Sequence, residues 1–317
     1  MRCEARPLIS VLMPIYNVEK FLADALLSIL NQSYENIELI IVDDCSTDTS
    51  YDIARRLTEN RHNVKIARNE KNLKIAATLN IALAMSRGKY IARMDGDDIS
   101  EPDRLERYFS KLESDPELGI VGSSVISIDE EGREVGRTVF FEDFNLIKKT
   151  LKYRTPCAHI WLARREVYDT LAAYRDMPGA EDYDFLLRAI SSGFKISNIE
   201  DYYGYKVRLF RAGNTLNSLG LRQKLLHRYI YRLYQERISG KHDSFTAENL
   251  AQSVKVGKFE NYIFNVSSMW LNKSIKHKAN GAMLRSALYA VASCISPHQL
   301  IYLLGRVALK LKVRASV

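Results

Sequence analysis

Apolar residues along this chain fall in short blocks that alternate between two rhythms. Residues 8–15, Leu-Ile-Ser-Val-Leu-Met-Pro-Ile, form a nearly continuous apolar run, the mark of a strand buried on both faces of a parallel sheet. Residues 18–32 then place Phe21, Leu22, Ala25, Leu26, Ile29 and Leu30 on one helical face. The cycle repeats. A strand is predicted over 37–42, then a helix capped by Ser46 or Asp48 and running through Leu57. A short strand follows at 64–67, a helix at 75–86 closed by Gly88, and a strand at 90–94. This alternation predicts an α/β fold with an open, mainly parallel sheet and helices on both faces. Such sheets bind ligands beyond the carboxyl ends of their strands. Three of these ends carry polar clusters: Tyr16-Asn17, Asp43-Asp44 and Asp95-Gly96-Asp97-Asp98.

Past residue 101 the rhythm changes. The spacing predicts an exposed helix over 102–112. Residues 120–128 and 135–140 read as strands around the turn Asp129-Glu130-Glu131-Gly132, an antiparallel hairpin. His159 precedes a strand at 160–163. Gly179-Ala180-Glu181-Asp182 opens a helix with Tyr183, Phe185, Leu186, Ala189 and Ile190 as its apolar positions, and Asp184 is spaced to pair with Arg188. Residues 205–217 read as a strand and a Gly-Asn turn, with Arg208 and Arg211 making either a basic lid or a solvated turn.

The acidic cluster at 95–98 carries the first chemistry. Side chains two apart on a strand point the same way, so Asp95 and Asp97 can share one edge. Gly96 between them allows a tight turn and leaves room for a close approach. Clustered carboxylates repel one another unless a cation sits among them, and oxygen ligands favour a hard ion such as Mg2+ or Mn2+. An ordinary helix start at Ser100 accounts for Glu101 and Asp103, but poorly for Asp95 on the strand side. Near Glu181 and Asp182, helix capping is again a sufficient account of the acids by themselves. No G-x-G-x-x-G follows the first strand and no G-x-x-x-x-G-K-[ST] occurs anywhere, which argues against a dinucleotide fold and a P-loop NTPase. A nucleotide bound here would be held by carboxylates: one such as Asp44 can accept from a base N–H, and one such as Asp95 from ribose hydroxyls.

Residues 9–17 (Ile-Ser-Val-Leu-Met-Pro-Ile-Tyr-Asn), 41–48 (Ile-Val-Asp-Asp-Cys-Ser-Thr-Asp), Asn80 and 88–98 (Gly-Lys-Tyr-Ile-Ala-Arg-Met-Asp-Gly-Asp-Asp) together resemble the family 2 glycosyltransferases. The resemblance runs from about residue 9 to about residue 217. It implies an inverting enzyme of the GT-A fold that uses a nucleotide-diphosphate sugar, most often a uridine one. By resemblance Pro14, Tyr16 and Asn17 flank the base and ribose and Asp44 contacts the base. Asp95 sits at the ribose and metal, and Asp97 is the main metal ligand. Glu181-Asp182 matches the family's Glu-Asp pair, whose aspartate, here Asp182, is the catalytic base. Similarly placed histidines in relatives make His159 a candidate contact to the pyrophosphate or the acceptor; a lone strand-edge histidine is more often satisfied by a backbone group. Glu181, Arg208 and Arg211 are further candidates for such contacts. One departure is Lys74, which stands where many relatives carry glycine after Asn72-Leu73.

Charge divides the chain. Net charge is −4 over residues 1–220 and +12 from residue 221 to the end. A nucleotide-sugar-binding catalytic domain is therefore expected over 1–219 and a basic helical region over 220–317. Residues 222–234 interleave basic and aromatic side chains, and residues 286–305 carry no Lys, Arg, Asp or Glu but are broken by Pro297. A spanning helix needs ~20 predominantly apolar residues, so residues 286–305 are expected as two short amphipathic helices lying on a membrane surface; the basic tail implies an anionic partner, and for residues 221–250 a soluble helical cap is the alternative. No nucleic-acid module is recognisable. The first residues lack the apolar core of a secretory signal, and Cys3, Cys45, Cys157 and Cys294 show no paired spacing. The expected setting is cytoplasmic, peripheral to the inner membrane, with a saccharide or lipid-linked saccharide acceptor. A sugar-phosphate nucleotidyltransferase and a non-catalytic membrane-bound scaffold are the alternatives. The first would need a glycine-rich phosphate loop in place of Pro14-Ile15-Tyr16-Asn17.

Overall fold

Every residue of β1 (Ile9–Ile15) and β2 (Ile37–Asp43) is buried, as a near-continuous apolar run requires. The computed structural model describes residues 6–209 and 220–315. Around these two strands come α1 (Leu22–Leu30), α2 (Ser50–Thr58), β3 (Val64–Arg68), α3 (Lys74–Ala84), β4 (Tyr90–Arg93) and β5 (Ile99–Ser100). They are followed by α4 (Arg104–Ser114), β6 (Leu118–Ile128), β7 (Glu134–Thr138), α5 (Phe144–Thr150), β8 (Leu162–Arg164), α6 (Arg165–Leu171), α7 (Glu181–Ser191) and β9 (Lys195–Arg208).

The sheet runs β3-β2-β1-β4-β8-β6-β9-β5, with β7 beside β6. The first four strands are parallel, with Ile15 opposite Asp43 and Leu12 opposite Arg93. Their carboxyl ends therefore lie along one edge. β8 is antiparallel to both β4 and β6, and β6 is parallel to β9. Alternation along the strands sorts the core into two layers. Val11, Met13, Leu39, Ile41 and Ala92 share one apolar cluster with α1 and α4 residues such as Leu26 and Tyr108. Leu12, Ile40 and Ile91 point to the other face, where α3 packs on β1 and β2.

Four local expectations need correction. α4 is amphipathic, burying Arg104, Leu105, Tyr108 and Leu112. Gly88 does not close α3, which ends at Ala84; a Cβ on Gly88 would lie 2.6 Å from the Ser10 amide nitrogen, so glycine is required by close packing. The last strand begins ten residues early, at Lys195, because β6 supplies it a long parallel partner. A Cβ on Gly96 would lie 2.8 Å from Ile15 Cγ2 and 3.1 Å from Val18 Cγ2; this glycine serves packing of the loop onto β1. The Gly213-Asn214 turn and Arg211 lie outside the described residues.

The chain forms two compact units, Met1–Lys148 with Thr155–Asn214, and Lys149–Arg154 with Thr215–Val317. The second is helical: α8 (Gly220–Ile238), α9 (Ala247–Ser253), α10 (Lys258–Ala279), α11 (Met283–Ala292), a 3-10 turn at Ser293–Ile295, and α12 (Pro297–Arg314). The break before Pro297 falls where the sequence predicts it, since proline suits the first helical turn. Tyr229 and Tyr234 of α8 are buried with Leu226, Ile230 and Leu233, so they form a core and do not line a basic surface. No described helix is long and apolar enough to cross a membrane.

Candidate active site

Two loops at the carboxyl ends of β1 and β2 are tied together by side chains. Asn17, in the left-handed region at φ 49°, donates its backbone N–H to Ser46 Oγ at 3.0 Å, and its Oδ1 accepts from the Thr47 amide at 2.8 Å. Asp43 Oδ2 accepts from the Ser46 amide at 3.0 Å and pairs with Arg68 at 3.1 Å. Asp44 is buried. One of its oxygens accepts from Asn69 Nδ2 at 2.8 Å and the Leu73 amide at 2.7 Å, and the other from the Lys74 amide at 2.9 Å. Asp44 thus anchors the start of α3. Lys74 sits there at φ 71°, a conformation that favours glycine, which explains why relatives use glycine at this position. Pro14 is buried within β1, beyond its last pairing with β4, while the Tyr16 ring is exposed on the rim.

The loop after β4 gathers charge. Arg93 is buried and grips Asp95 with two bonds, Nε to Oδ1 at 2.8 Å and Nη2 to Oδ2 at 3.1 Å. Its third arm, Nη1, donates to Glu181 Oε1 at 3.1 Å. The Asp95 amide donates to the Tyr205 hydroxyl at 3.0 Å. His159 Nε2 lies 3.1 Å from Asp95 Oδ2 and 3.9 Å from Asp98 Oδ2. Burial pushes the Asp95 carboxyl up, but Arg93 and His159 outweigh it and hold the group well below the usual carboxylate range. Burial pushes Asp98 up to about 7, with the Asp97 and Asp95 charges adding to it. Burial lowers His159, but Asp95 and Asp98 overcome this and carry it up to about 10.

Asp95, Asp98 and His159 bring ligand atoms within 4.8 Å of one another. Two carboxylates and one imidazole suit a small divalent cation such as Mn2+. Asp97, which the resemblance implies as main ligand, is outside this trio. Its carbonyl accepts from Arg208 Nε at 3.0 Å, and its charge is felt by Asp98. Arg208 is buried. Its Nη1 donates to the Asp129 and Glu130 carbonyls at 2.7 and 2.8 Å, and its amide donates to Asp98 Oδ1 at 2.7 Å. It clamps the acidic loop to the hairpin turn, where the sequence suggested either a basic lid or a solvated turn.

Glu181 and Asp182 are the first two residues of α7. Glu181 is buried on Arg93; burial raises its carboxyl above the ordinary value, Arg93 opposes, and the neighbouring Asp182 charge adds to the rise. Asp182 is half-buried, and its Oδ1 accepts from the Tyr183 amide at 2.7 Å. Burial pushes the Cys157 thiol up, and the charge of Asp182 adds to this. Asp184 and Arg188 pair at 2.8 Å as their spacing predicts, and Arg188 donates to the Leu171 and Ala173 carbonyls. The Asn80 side chain donates from Nδ2 to the Tyr174 carbonyl and accepts at Oδ1 from the Tyr174 amide, each at 2.9 Å, tying α3 to the segment before α7. Trp161 stacks on Phe185 at 5.4 Å beneath it.

Sequence reasoning passed over Arg93, Asp98 and Tyr205 as site residues. Arg93 had a usable signal: an arginine inside an apolar strand needs buried acids, and two candidates were already named.

A model of the family described as glycosyl transferase family 2 matches residues 10–172. The chain is 37% identical over 207 residues to EpsE of Bacillus subtilis, a glycosyltransferase by assignment, covering 64% of this chain and 73% of that one. It is 31% identical over 195 residues to the amylovoran biosynthesis glycosyltransferase AmsE of Erwinia amylovora, covering 61% and 73%. Among solved structures, S. aureus TarS 1–349 in complex with UDP-GlcNAc aligns with a TM-score of 0.59 at 22% identity, over 83% of this chain and 80% of that one. The mannosyltransferase PcManGT of Pyrobaculum calidifontis, in complex with GDP-Man and Mn2+, aligns with a TM-score of 0.58 at 18% identity, over 98% and 87%. These two likenesses concern the fold, which is the GT-A type expected from the sequence.

Proposed function

Because the chain belongs to glycosyl transferase family 2, we propose that it is an inverting enzyme moving a sugar from a nucleoside-diphosphate sugar to an acceptor hydroxyl. The product class is surface polysaccharide or glycolipid, a reading supported by AmsE, named for amylovoran biosynthesis. TarS carries UDP-GlcNAc and PcManGT carries GDP-Man, so a nucleotide-sugar donor is the expectation here, with uridine tested first. Family membership favours glycosyl over nucleotidyl transfer.

In this reading the donor lies along the carboxyl ends of β1, β2 and β4. The exposed Tyr16 ring offers a stacking surface for the base, and Asn17 and Asp44 shape the loops around it. Asp95 accepts from the ribose. The acceptor oxygen attacks the anomeric carbon from the face opposite the diphosphate. A C–O bond forms there as the bond to the diphosphate oxygen breaks, and the nucleoside diphosphate departs with the electron pair. The acceptor's proton passes to the Asp182 carboxylate, the positioned base such an attack needs. Asp95, Asp98 and His159, with Asp97 beside them, would hold Mg2+ or Mn2+, which when bound neutralises charge on the departing diphosphate.

One observation carries the reading. Arg93 bonds both Asp95 and Glu181, so the acidic loop and the start of α7, where Asp182 follows Glu181, share one buried cation. The experiment is a thermal-shift panel of UDP- and GDP-sugars with and without Mn2+, followed by transfer assays on Asp182→Asn. The variant keeps donor binding and loses transfer by ~10²–10⁴-fold. Near-wild-type turnover in Asp182→Asn, with Glu181→Gln inactive, would move the base to Glu181.

A further inference from the structure

The helical unit ends in two helices that leave apolar stripes in water. On α11 and the turn after it, Leu284, Leu288, Val291 and Ile295 follow a 4-3-4 spacing, and Leu284 and Val291 are 77% and 75% exposed. On α12 the same spacing recurs at Leu300, Leu304, Val307 and Leu311, with Leu304 and Leu311 59% and 60% exposed. A stripe at this spacing is one side of a helix. A soluble protein rarely leaves two such stripes without an occupant.

The inner sides of both helices are fixed on one row of α10. Ser274 Oγ donates to the Ser286 carbonyl of α11 at 2.8 Å, and Ser267 Oγ accepts from the Ser296 amide at 3.1 Å where α12 begins. Ser267 and Ser274 are seven residues apart and both buried, so they lie on one side of α10. The outer sides of α11 and α12 therefore face away from the same row.

Charge selects the occupant. Residues 283–314 contain no Asp or Glu, and Arg285, Arg306, Lys310 and Arg314 are exposed among the apolar positions. A second copy meeting this surface face to face would oppose like charge to like charge. An anionic bilayer supplies both what the stripes lack: acyl chains for the leucines and phosphate headgroups for the cations. Neither helix is long and apolar enough to span, which suits helices lying in the interface plane.

We propose that the outer sides of α11 and α12 dock onto an anionic phospholipid surface, with the leucine stripes inserted at the headgroup boundary. None of the residues on this surface has a role in the transfer chemistry proposed above, so its test needs no turnover. The full chain is sedimented with vesicles of phosphatidylcholine alone and of phosphatidylcholine mixed with phosphatidylglycerol, at low and high salt. Binding to the mixed vesicles is expected to be at least tenfold tighter than to neutral ones. Each cation at the surface contributes about fivefold, so Arg285→Gln/Lys310→Gln/Arg314→Gln should weaken binding ~100-fold and flatten the salt response. Leu288→Glu/Leu304→Glu alters exposed positions only; with an unchanged circular dichroism spectrum it should lose at least tenfold. No binding, equal binding to both vesicle types, or binding untouched by either variant overturns the proposal. Concentration-dependent dimers in the absence of lipid, dissociated by Leu288→Glu/Leu304→Glu, would assign the face to a second copy instead and overturn it equally.

Discussion

Replacing Glu38 with glutamine tests the electrostatics that hold the parallel half of the sheet together. Glu38 is buried as the second residue of β2. One carboxylate oxygen accepts from Ser10 Oγ of β1 and from the Arg87 amide, each at 2.6 Å. The other accepts from Lys65 Nζ of β3 at 3.1 Å and Arg87 Nε at 3.4 Å. Burial pushes this carboxyl up, but the bonds from Ser10, Arg87 and Lys65 win and bring it from 4.5 down to about 2. At ~1.4 kcal/mol per pH unit, that gap corresponds to ~3 kcal/mol. Lys65 is partly exposed and the Arg87 side chain mostly so, and solvent screening reduces the figure to ~2 kcal/mol. Because the folded value lies below the unfolded one, this stability is fully present above pH 4.5 and is lost as pH falls through about 2. Glutamine must turn its NH2 toward one of the two donor pairs, so either orientation sets donor against donor. Urea denaturation followed by Trp161 fluorescence, in a Trp270→Phe background, reports on the unit that holds Glu38. Glu38→Gln is expected to cost ~2 kcal/mol at pH 7, and under half of that at pH 3. A cost independent of pH, or one that grows with acid, refutes the assignment of the stabilisation to the charged carboxylate.

Three further outcomes are expected. Arg93→Met strands Asp95 and Glu181 without their shared cation and should cost ~3–5 kcal/mol by the same denaturation assay; a cost under ~1 kcal/mol would mean the guanidinium is not the clamp. Asp98→Asn should weaken Mn2+ binding at least tenfold by calorimetry, whereas a loss confined to Asp97→Ala would put the ion where the resemblance alone implies. Gly96→Ala drives a Cβ against Ile15 and Val18 and should cost ~1–3 kcal/mol, with donor affinity falling as the acidic loop shifts; wild-type stability would show that the loop is not packed this tightly.

The parallel half of the fold was legible because strands buried on both faces write themselves as unbroken apolar runs, each followed by a helical stripe. β1, α1, β2 and α2 all fall within a few residues of their predicted limits. The long β9 was not legible in its first half. Residues 195–204, Lys-Ile-Ser-Asn-Ile-Glu-Asp-Tyr-Tyr-Gly, mix polar and apolar positions, and Asp201 at φ 52° interrupts the strand where its pairing with β6 shifts register. Nothing local marks such a segment as a strand; its partner does. The same holds for the site. Spacing within one element predicted the Asp184–Arg188 pair, four residues apart. It could not bring His159 to Asp95, or Glu181 to Arg93, because those meetings depend on where β8 and α7 fall against β4.

The acids themselves show how far a motif can be read. Asp43, Asp44, Asp95, Asp97, Asp98, Glu181 and Asp182 all stand at strand ends or a helix start, and apart from the family resemblance nothing in their spacing ranks them. Bonding does. Asp43 and Asp44 take three amides, one asparagine and one arginine between them, so their first task is to build the loops that a donor would meet. Glu181 is turned into the protein on Arg93. Asp95 and Asp98 face His159 as well as their structural partners, and Asp182 stays half-buried at the mouth of α7. A carboxylate that must take a proton from an acceptor needs access to it, and among the two acids opening α7 that requirement separates Asp182 from Glu181. In the proposed reading, exposure and partner agree with the base that the resemblance implies, and the residue whose replacement should silence transfer is the one that the buried cation does not hold.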